Sequence, residues 1–233
     1  MKKTFILIFA FIALHIQAQG IDHSTWDQFL KKHVDANGNV NYEGIKKDET
    51  ELKTYLNQFV NITPKSSWTK NEKLAYWINA YNAFTIKLIV DNYPLKSIKD
   101  IENPWDKKFI PSGGQLISLN HIEHEILRKM SEPRIHFAIN CASVSCPKLL
   151  NEAFVAVTLD SQLNKVAKGF INNSKKNELA KNEIKISKIF KWFDKDFEKN
   201  GSIIDFLNSY SNVKIDSNAK IGYLDYNWNI NKQ

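Results

Sequence analysis

The sequence predicts an α+β domain, helix-rich and packed around a small β-sheet, and three observations carry that expectation. Apolar residues recur at three- and four-residue spacing through most of the chain, as amphipathic helices require. Short alternating runs lie between those stretches, too few and too brief for a large sheet. No internal repeat, low-complexity tract or linker divides residues 20–233, so one core is expected.

The elements follow in chain order. The leader MKKTFILIFAFIALHIQAQ has a basic start at Lys2 and Lys3, an apolar run from Thr4 to Ile16, and the small Ala18, the pattern of a secretory signal peptide. That run is too short for a stable bilayer span; the imperfect Ile16-Gln17-Ala18 motif leaves an uncleaved anchor as the alternative. Residues 1–19 therefore read as a signal peptide and residues 20–233 as a single globular domain. Export to the periplasm or the extracellular space is expected, with no stable membrane insertion once the leader is removed.

Trp26, Phe29, Leu30 and Val34 mark a first helix after His23-Ser24, and Asn37-Gly38 breaks it. A short extended piece is expected at Val40–Tyr42. Leu52, Tyr55, Leu56 and Phe59 mark a second helix. The stretch NEKLAYWINAYNAFTIKLIVDN (71–92) predicts a third with a wide apolar face, stopped by Pro94. KFIPSGGQLIS (108–118) predicts a hairpin turning at Gly113-Gly114. Leu119 to Lys129 predicts a helix capped by Asn120, and Ile135 to Ile139 a short strand. Leu159 to Phe170 predicts another helix, Glu183 to Ser187 a strand, and Ile189 to Phe193 the start of a helix. Ile203 to Tyr210 then reads as the last helix and Ile221 to Trp228 as a closing strand.

Six Trp, eight Tyr and fourteen Phe supply enough apolar area for a packed core, which excludes a disordered chain. The formal net charge is +7, but the lysines alternate with acids, as in KKNELAKNEIKISKIFKWFDKDFEK (175–199). That is a solvated mixed-charge surface rather than a basic stripe, so no nucleic-acid partner is expected.

Several blocks stand in a fixed order: LAYWINAYNAFTI (74–86), SIKDI (97–101), PWDKKF (104–109), IEHEILR (122–128), RIHFAINCASVSCPKL (134–149), SKIFKWF (187–193) and YLDYNWNIN (223–231). Together they resemble domain-of-unknown-function family 547 over nearly the whole of residues 20–233. The resemblance implies no reaction. The positions that match its polar pattern are Asn79, Asn82, His124, Arg128, Arg134, His136, Asn140, Cys141, Ser145 and Cys146.

The only two cysteines in the chain lie five residues apart in RIHFAINCASVSCP (134–147). If Arg134 to Asn140 is a strand, His136 points away from Cys141, and the better base is on the preceding helix. There His121, His124 and Arg128 share a flank. A histidine beside a thiol favours the nucleophilic thiolate, and Asn79, Asn82 or Asn140 can orient it or stabilise an oxyanion. Satisfying neighbouring backbone is the plain alternative for those amides.

Three readings of the cysteines stay open: a Cys141–Cys146 disulfide, a catalytic thiol, and a zinc site with His121 and His124, for which the spacing is a weak match. The leading functional expectation is a cysteine-dependent hydrolase or acyl transferase acting on amide or ester bonds in the cell envelope. Cys141 is its nucleophile, His124 its base, and Asn79 or Asn140 its orienting or oxyanion group. The alternative is a non-catalytic binding domain with a structural disulfide, in which Arg128, Arg134 and His136, with Asn82, hold an acidic ligand; an internal ion pair with Glu123 or Asp100 is the plainer reading of either arginine. The ligand is a small molecule, peptide or glycan; no cofactor and no metal is expected. Asp225 reads as a turn carboxylate or a histidine-orienting acid. Trp77 reads as core, and Trp105 and Trp228 as core or glycan wall.

Overall fold

The computed structural model describes residues 20–233, so the signal-peptide reading of residues 1–19 lies outside the described residues. The long segment NEKLAYWINAYNAFTIKLIV carries apolar side chains on nearly every side, so its helix must be enclosed rather than laid on a surface. It forms α4 (Lys70–Asn92), buried continuously from Leu74 to Ile86. A capping box closes its start: Thr69 Oγ1 accepts from the Glu72 N–H at 3.2 Å, and Glu72 accepts from the Thr69 N–H at 2.6 Å.

Three helices precede it: α1 (Ser24–His33), α2 (Tyr42–Lys47) and α3 (Thr50–Asn61). Aromatic residues of α1 and α3 form one continuous cluster that runs on to α4. Trp26 lies against Phe29 and Tyr55, with ring centroids 5.1 and 5.2 Å apart, and Phe59 reaches Tyr76 and Phe84 on α4. The Asn37-Gly38 turn sits between α1 and α2. Gly38 has φ +83°, and a Cβ there would lie 2.9 Å from Leu149 backbone atoms, so only glycine fits.

The hairpin forms as expected, β1 (Ile110–Ser112) against β2 (Gln115–Ile117), with both glycines of the turn at positive φ. Beyond it two expectations need correction. The spacing predicts an α-helix over 119–129 capped by Asn120. The chain instead widens into a π-helix, His121–Leu127, continued by a 3-10 turn, Arg128–Met130. Its i→i+5 bonding is seen where the Arg128 N–H reaches the Glu123 carbonyl. Ser118 caps it, accepting from the His121 N–H at 3.1 Å, while the Asn120 side chain donates to Asp106 at 2.6 Å.

The strand expected at 135–139 is a 3-10 helix, Pro133–Phe137. Ser131, at φ 52°, ends the preceding turn, and Glu132 accepts from the Arg134 N–H at 3.2 Å. Pro133 then starts a helix at no hydrogen-bond cost. These signals outweigh the β-propensity of Ile-His-Phe-Ala-Ile. The alternation that would turn His136 away from Cys141 therefore does not apply.

After α5 (Leu159–Ile171), β3 (Glu178–Leu179) pairs antiparallel with β4 (Glu183–Ile186), which pairs parallel with β5 (Lys220–Tyr223). Between β4 and β5 lie α6 (Ile189–Trp192), α7 (Asp194–Phe197) and α8 (Ile203–Asn208). The closing strand ends at Tyr223, shorter than expected. The chain then crosses the molecule as an irregular strap. Its carbonyls accept from the Val144 N–H (Asn229, 2.7 Å), the Ser145 N–H (Asn227, 3.1 Å) and the Val40 N–H (Asn231, 2.8 Å). The Tyr42 hydroxyl donates to Asn231 Oδ1 at 2.8 Å. Among the described residues, no helix is long and apolar enough to cross a membrane.

Candidate functional site

The cysteine segment is held by buried amides. Asn82 donates from Nδ2 to the Ala138 carbonyl at 2.9 Å and accepts from the Asn140 N–H at 2.8 Å, fixing the approach to Cys141. Asn140 donates to the Pro147 carbonyl at 2.7 Å and accepts from the Ala142 N–H at 2.8 Å, which closes the loop on itself. Lys176 donates to the Val144 and Cys146 carbonyls from the other side. Replacing Asn82 with alanine (Asn82→Ala) leaves a buried acceptor and a buried donor without partners. A loss of about 2 kcal/mol is expected, read as a lower denaturant midpoint at unchanged m-value.

Within this loop Cys141 and Cys146 are paired at disulfide distance, their Cα atoms 6.0 Å apart. Cys141 Sγ also lies 3.3 Å from both Ser143 Oγ and the Tyr226 hydroxyl. One face of the loop borders a recess of about 200 Å³. Tyr81 reaches it from α4, Glu123 and His124 from the π-helix, and His136 from the 3-10 helix; Trp192 and Phe193 border it too, and the strap adds Tyr226 and Trp228. Trp105 completes the wall, edge-on to Trp228 at 5.7 Å. Trp192 stands at the rim, 44% exposed, 4.8 Å from Tyr226 and 5.8 Å from Trp228.

A chain of charged and polar groups runs behind the recess. Arg128 Nε donates to Asp196 Oδ2 at 2.6 Å, and His136 Nε2 donates to the same oxygen at 2.9 Å. Burial pushes the Asp196 carboxyl up, but hydrogen bonds from His136 and Arg128 outweigh it and hold the group well below the carboxylate range. Arg128 Nη1 stands 2.8 Å from His124 Nδ1. A guanidinium only donates, so Nδ1 accepts and the His124 proton sits on Nε2. Burial, and then the Arg128 charge, lower the His124 pKa; burial lowers that of His136, against the pull of Asp196. Both rings are neutral at pH 7.

Glu123 behaves in the opposite sense. Only 7% exposed, it meets the Tyr81 hydroxyl at 3.3 Å. Burial raises its carboxyl to about 7, against the Tyr81 bond and Arg128, with Asp196 adding to the rise.

The expected site residues divide accordingly. Cys141, His124 and His136 converge on the recess. Asn79, Asn82 and Asn140 do not face it: Asn79 is bonded to both backbone groups of Phe154, at 2.7 and 3.0 Å, and the other two hold the cysteine segment. The arginine clamp for an acidic ligand is likewise not built. Arg128 is taken by Asp196 and His124, and Arg134 by Glu132, Asp160 and Asn164. Asp225 pairs with Lys188 at 3.0 Å, and Trp77 is core. Among the described residues no three His, Cys, Asp or Glu side chains gather as a metal site.

Sequence reasoning passed over Tyr81, Trp192, Tyr226 and Asp196, and took Glu123 only as an ion-pair partner. Glu123 did carry a signal. It stands four residues from both Leu119 and Leu127, a carboxyl on an apolar stripe.

Residues 65–171 match the model of a family described as "Protein of unknown function, DUF547". The matched segment holds Tyr81, Trp105, Glu123, His124, His136 and both cysteines, whereas Trp192, Asp196, Tyr226 and Trp228 come from beyond it. No curated protein and no solved structure matches the chain.

Proposed function

We propose that this chain, which belongs through residues 65–171 to the DUF547 family, is an exported ligand-binding domain whose site is the recess beside the cysteine loop. One observation carries the reading: the groups that chemistry would need are already committed to one another. The two sulfurs are paired, the arginines hold internal carboxylates, and the asparagines hold backbone. What faces the recess is aromatic surface with a few polar atoms, the composition of small-ligand sites. At about 200 Å³ the recess is smaller than the roughly 300–1,000 Å³ of drug-sized sites, which suits a small molecule or one unit of a peptide or glycan. An oxidising compartment outside the cytosol accords with the paired cysteines.

The cysteine-dependent hydrolase or acyl transferase of the cell envelope is the second reading, and a specific observation favours it. Cys141 and His124 border the same recess, and the hydroxyls of Ser143 and Tyr226 stand 3.3 Å from Cys141 Sγ, placed to donate to a thiolate were the pair reduced. Against it, the lone pair that His124 would need as a base is held by Arg128. A count of free thiols in the native, unreduced protein separates the two. Zero is expected; one or two would move the assignment to the thiol enzyme.

A further inference from the structure

The recess has a marked charge asymmetry. Among the described side chains that border it, Glu123 is the only carboxylate, and none is a lysine or arginine. The nearest guanidinium, Arg128, is neutralised by Asp196 at 2.6 Å, and the two histidines are held neutral. The walls are the faces and edges of Trp105, Trp192, Tyr226 and Trp228, in mutual contact at 4.6–5.8 Å. Trp228 already carries one cation, with Lys99 Nζ 4.0 Å from a ring centroid. Aromatic walls around a single acid attract cations by two routes, ring quadrupole and direct charge. A neutral sugar would use the rings and donate a hydroxyl to Glu123, but would draw only a hydrogen bond from a group that offers a full charge. An anion would meet the acid, since the Lys99 ammonium on Trp228 is not among the residues that border the recess.

We infer that the recess takes a small organic ammonium ligand, seated between Trp105, Trp192, Tyr226 and Trp228 with its charge against Glu123. The inference rests on the ligand-binding reading and gives that site its ligand class. It also makes binding pH-dependent, because Glu123 must be ionised to receive a cation. The other titratable or charged groups around it are Tyr81 from α4, His124 and Arg128 from its own helix, His136, Asp196 from α7 and Tyr226 from the strap. Burial holds the Tyr81 and Tyr226 hydroxyls protonated, the latter with its pKa at about 12, and Asp196 stays ionised. Glu123, at about 7, is the group that changes charge near neutrality.

The test uses the purified protein with its disulfide intact. Tryptophan fluorescence and calorimetry follow titration with choline, with its uncharged carbon isostere 3,3-dimethylbutan-1-ol, and with N-acetylglucosamine. Choline keeps its charge at every pH, so any pH dependence belongs to the protein. Saturable choline binding is expected near pH 8. It should weaken by about thirtyfold near pH 5.5, where only a few per cent of Glu123 is ionised. The isostere should bind at least tenfold more weakly than choline, and Trp228→Ala should abolish the fluorescence response. Glu123→Gln should weaken choline binding near pH 8 and reduce the dependence on pH.

An isostere that binds as well as choline, or a Glu123→Gln variant with unchanged affinity, overturns the inference. N-acetylglucosamine binding that Trp228→Ala removes, with choline silent, overturns the ammonium ligand and leaves the recess as a binding site. Silence from all three probes also overturns the ammonium ligand, and the thiol count then decides the reading beneath it.

Discussion

Replacing Glu123 with glutamine (Glu123→Gln) is expected to stabilise the protein near pH 8 by about 3 kcal/mol, and to leave it almost unchanged near pH 4. The carboxyl is raised to about 7 in the fold by burial, against roughly 4.3 in an unfolded chain. Below the unfolded value both states carry the proton and the fold is not penalised. As pH rises from there toward 7, the unfolded chain ionises first and stability falls. Above 7 both states are ionised, and the full cost of a buried carboxylate is present. Glutamine is neutral throughout and keeps a polar group beside Tyr81. Urea denaturation at several pH values measures this directly. Wild-type and variant curves that stay parallel from pH 4 to pH 8 would mean that Glu123 is not a buried acid.

Asp196→Ala should act in the other direction, with a loss of about 2–3 kcal/mol at pH 7. Its carboxylate, 13% exposed, is the common acceptor for Arg128 and His136, so removing it strands a partly buried guanidinium and a buried N–H. The pH dependence again has a definite sign. Because hydrogen bonds from His136 and Arg128 depress the Asp196 pKa, its stabilisation is present above the unfolded value near ~3.9 and is lost as pH falls through the folded value. The gap between wild type and variant should therefore be widest near neutrality and close in acid. The Asp196 charge also raises the His124 pKa, so the His124 titration, followed by NMR, should move to lower pH in the variant than in wild type.

Much of the scaffold was legible because periodicity reports local burial. The apolar spacing of α1, α3, α4 and α5, the Gly113-Gly114 hairpin and the alternation in β4 all appear where the residues place them. The errors sit where local and tertiary demands compete. Ile135, Phe137 and Ile139 have strand-like side chains, yet the Glu132-Pro133 start folds them into a helical turn. A π-helix leaves no periodic signature that an α-helix would not also leave over seven residues. The site itself was half legible. Cys141, His124 and His136 lie within segments dense in polar residues. Trp192 and Asp196 sit in the ordinary-looking run KIFKWFDKDFEK, and only contacts across more than thirty residues give them a role.

The strap has a consequence for the order in which the molecule comes together. Tyr42 finds Asn231 across 189 positions, and Gln233 reaches back to His33 across 200. Contacts this remote carry the largest loop-closure cost and form late. Trp228 and Tyr226, which finish the wall of the recess, lie on that same strap. The helical centre can thus assemble before the strap docks, and the wall of the recess is finished only when Tyr226 and Trp228 are in place.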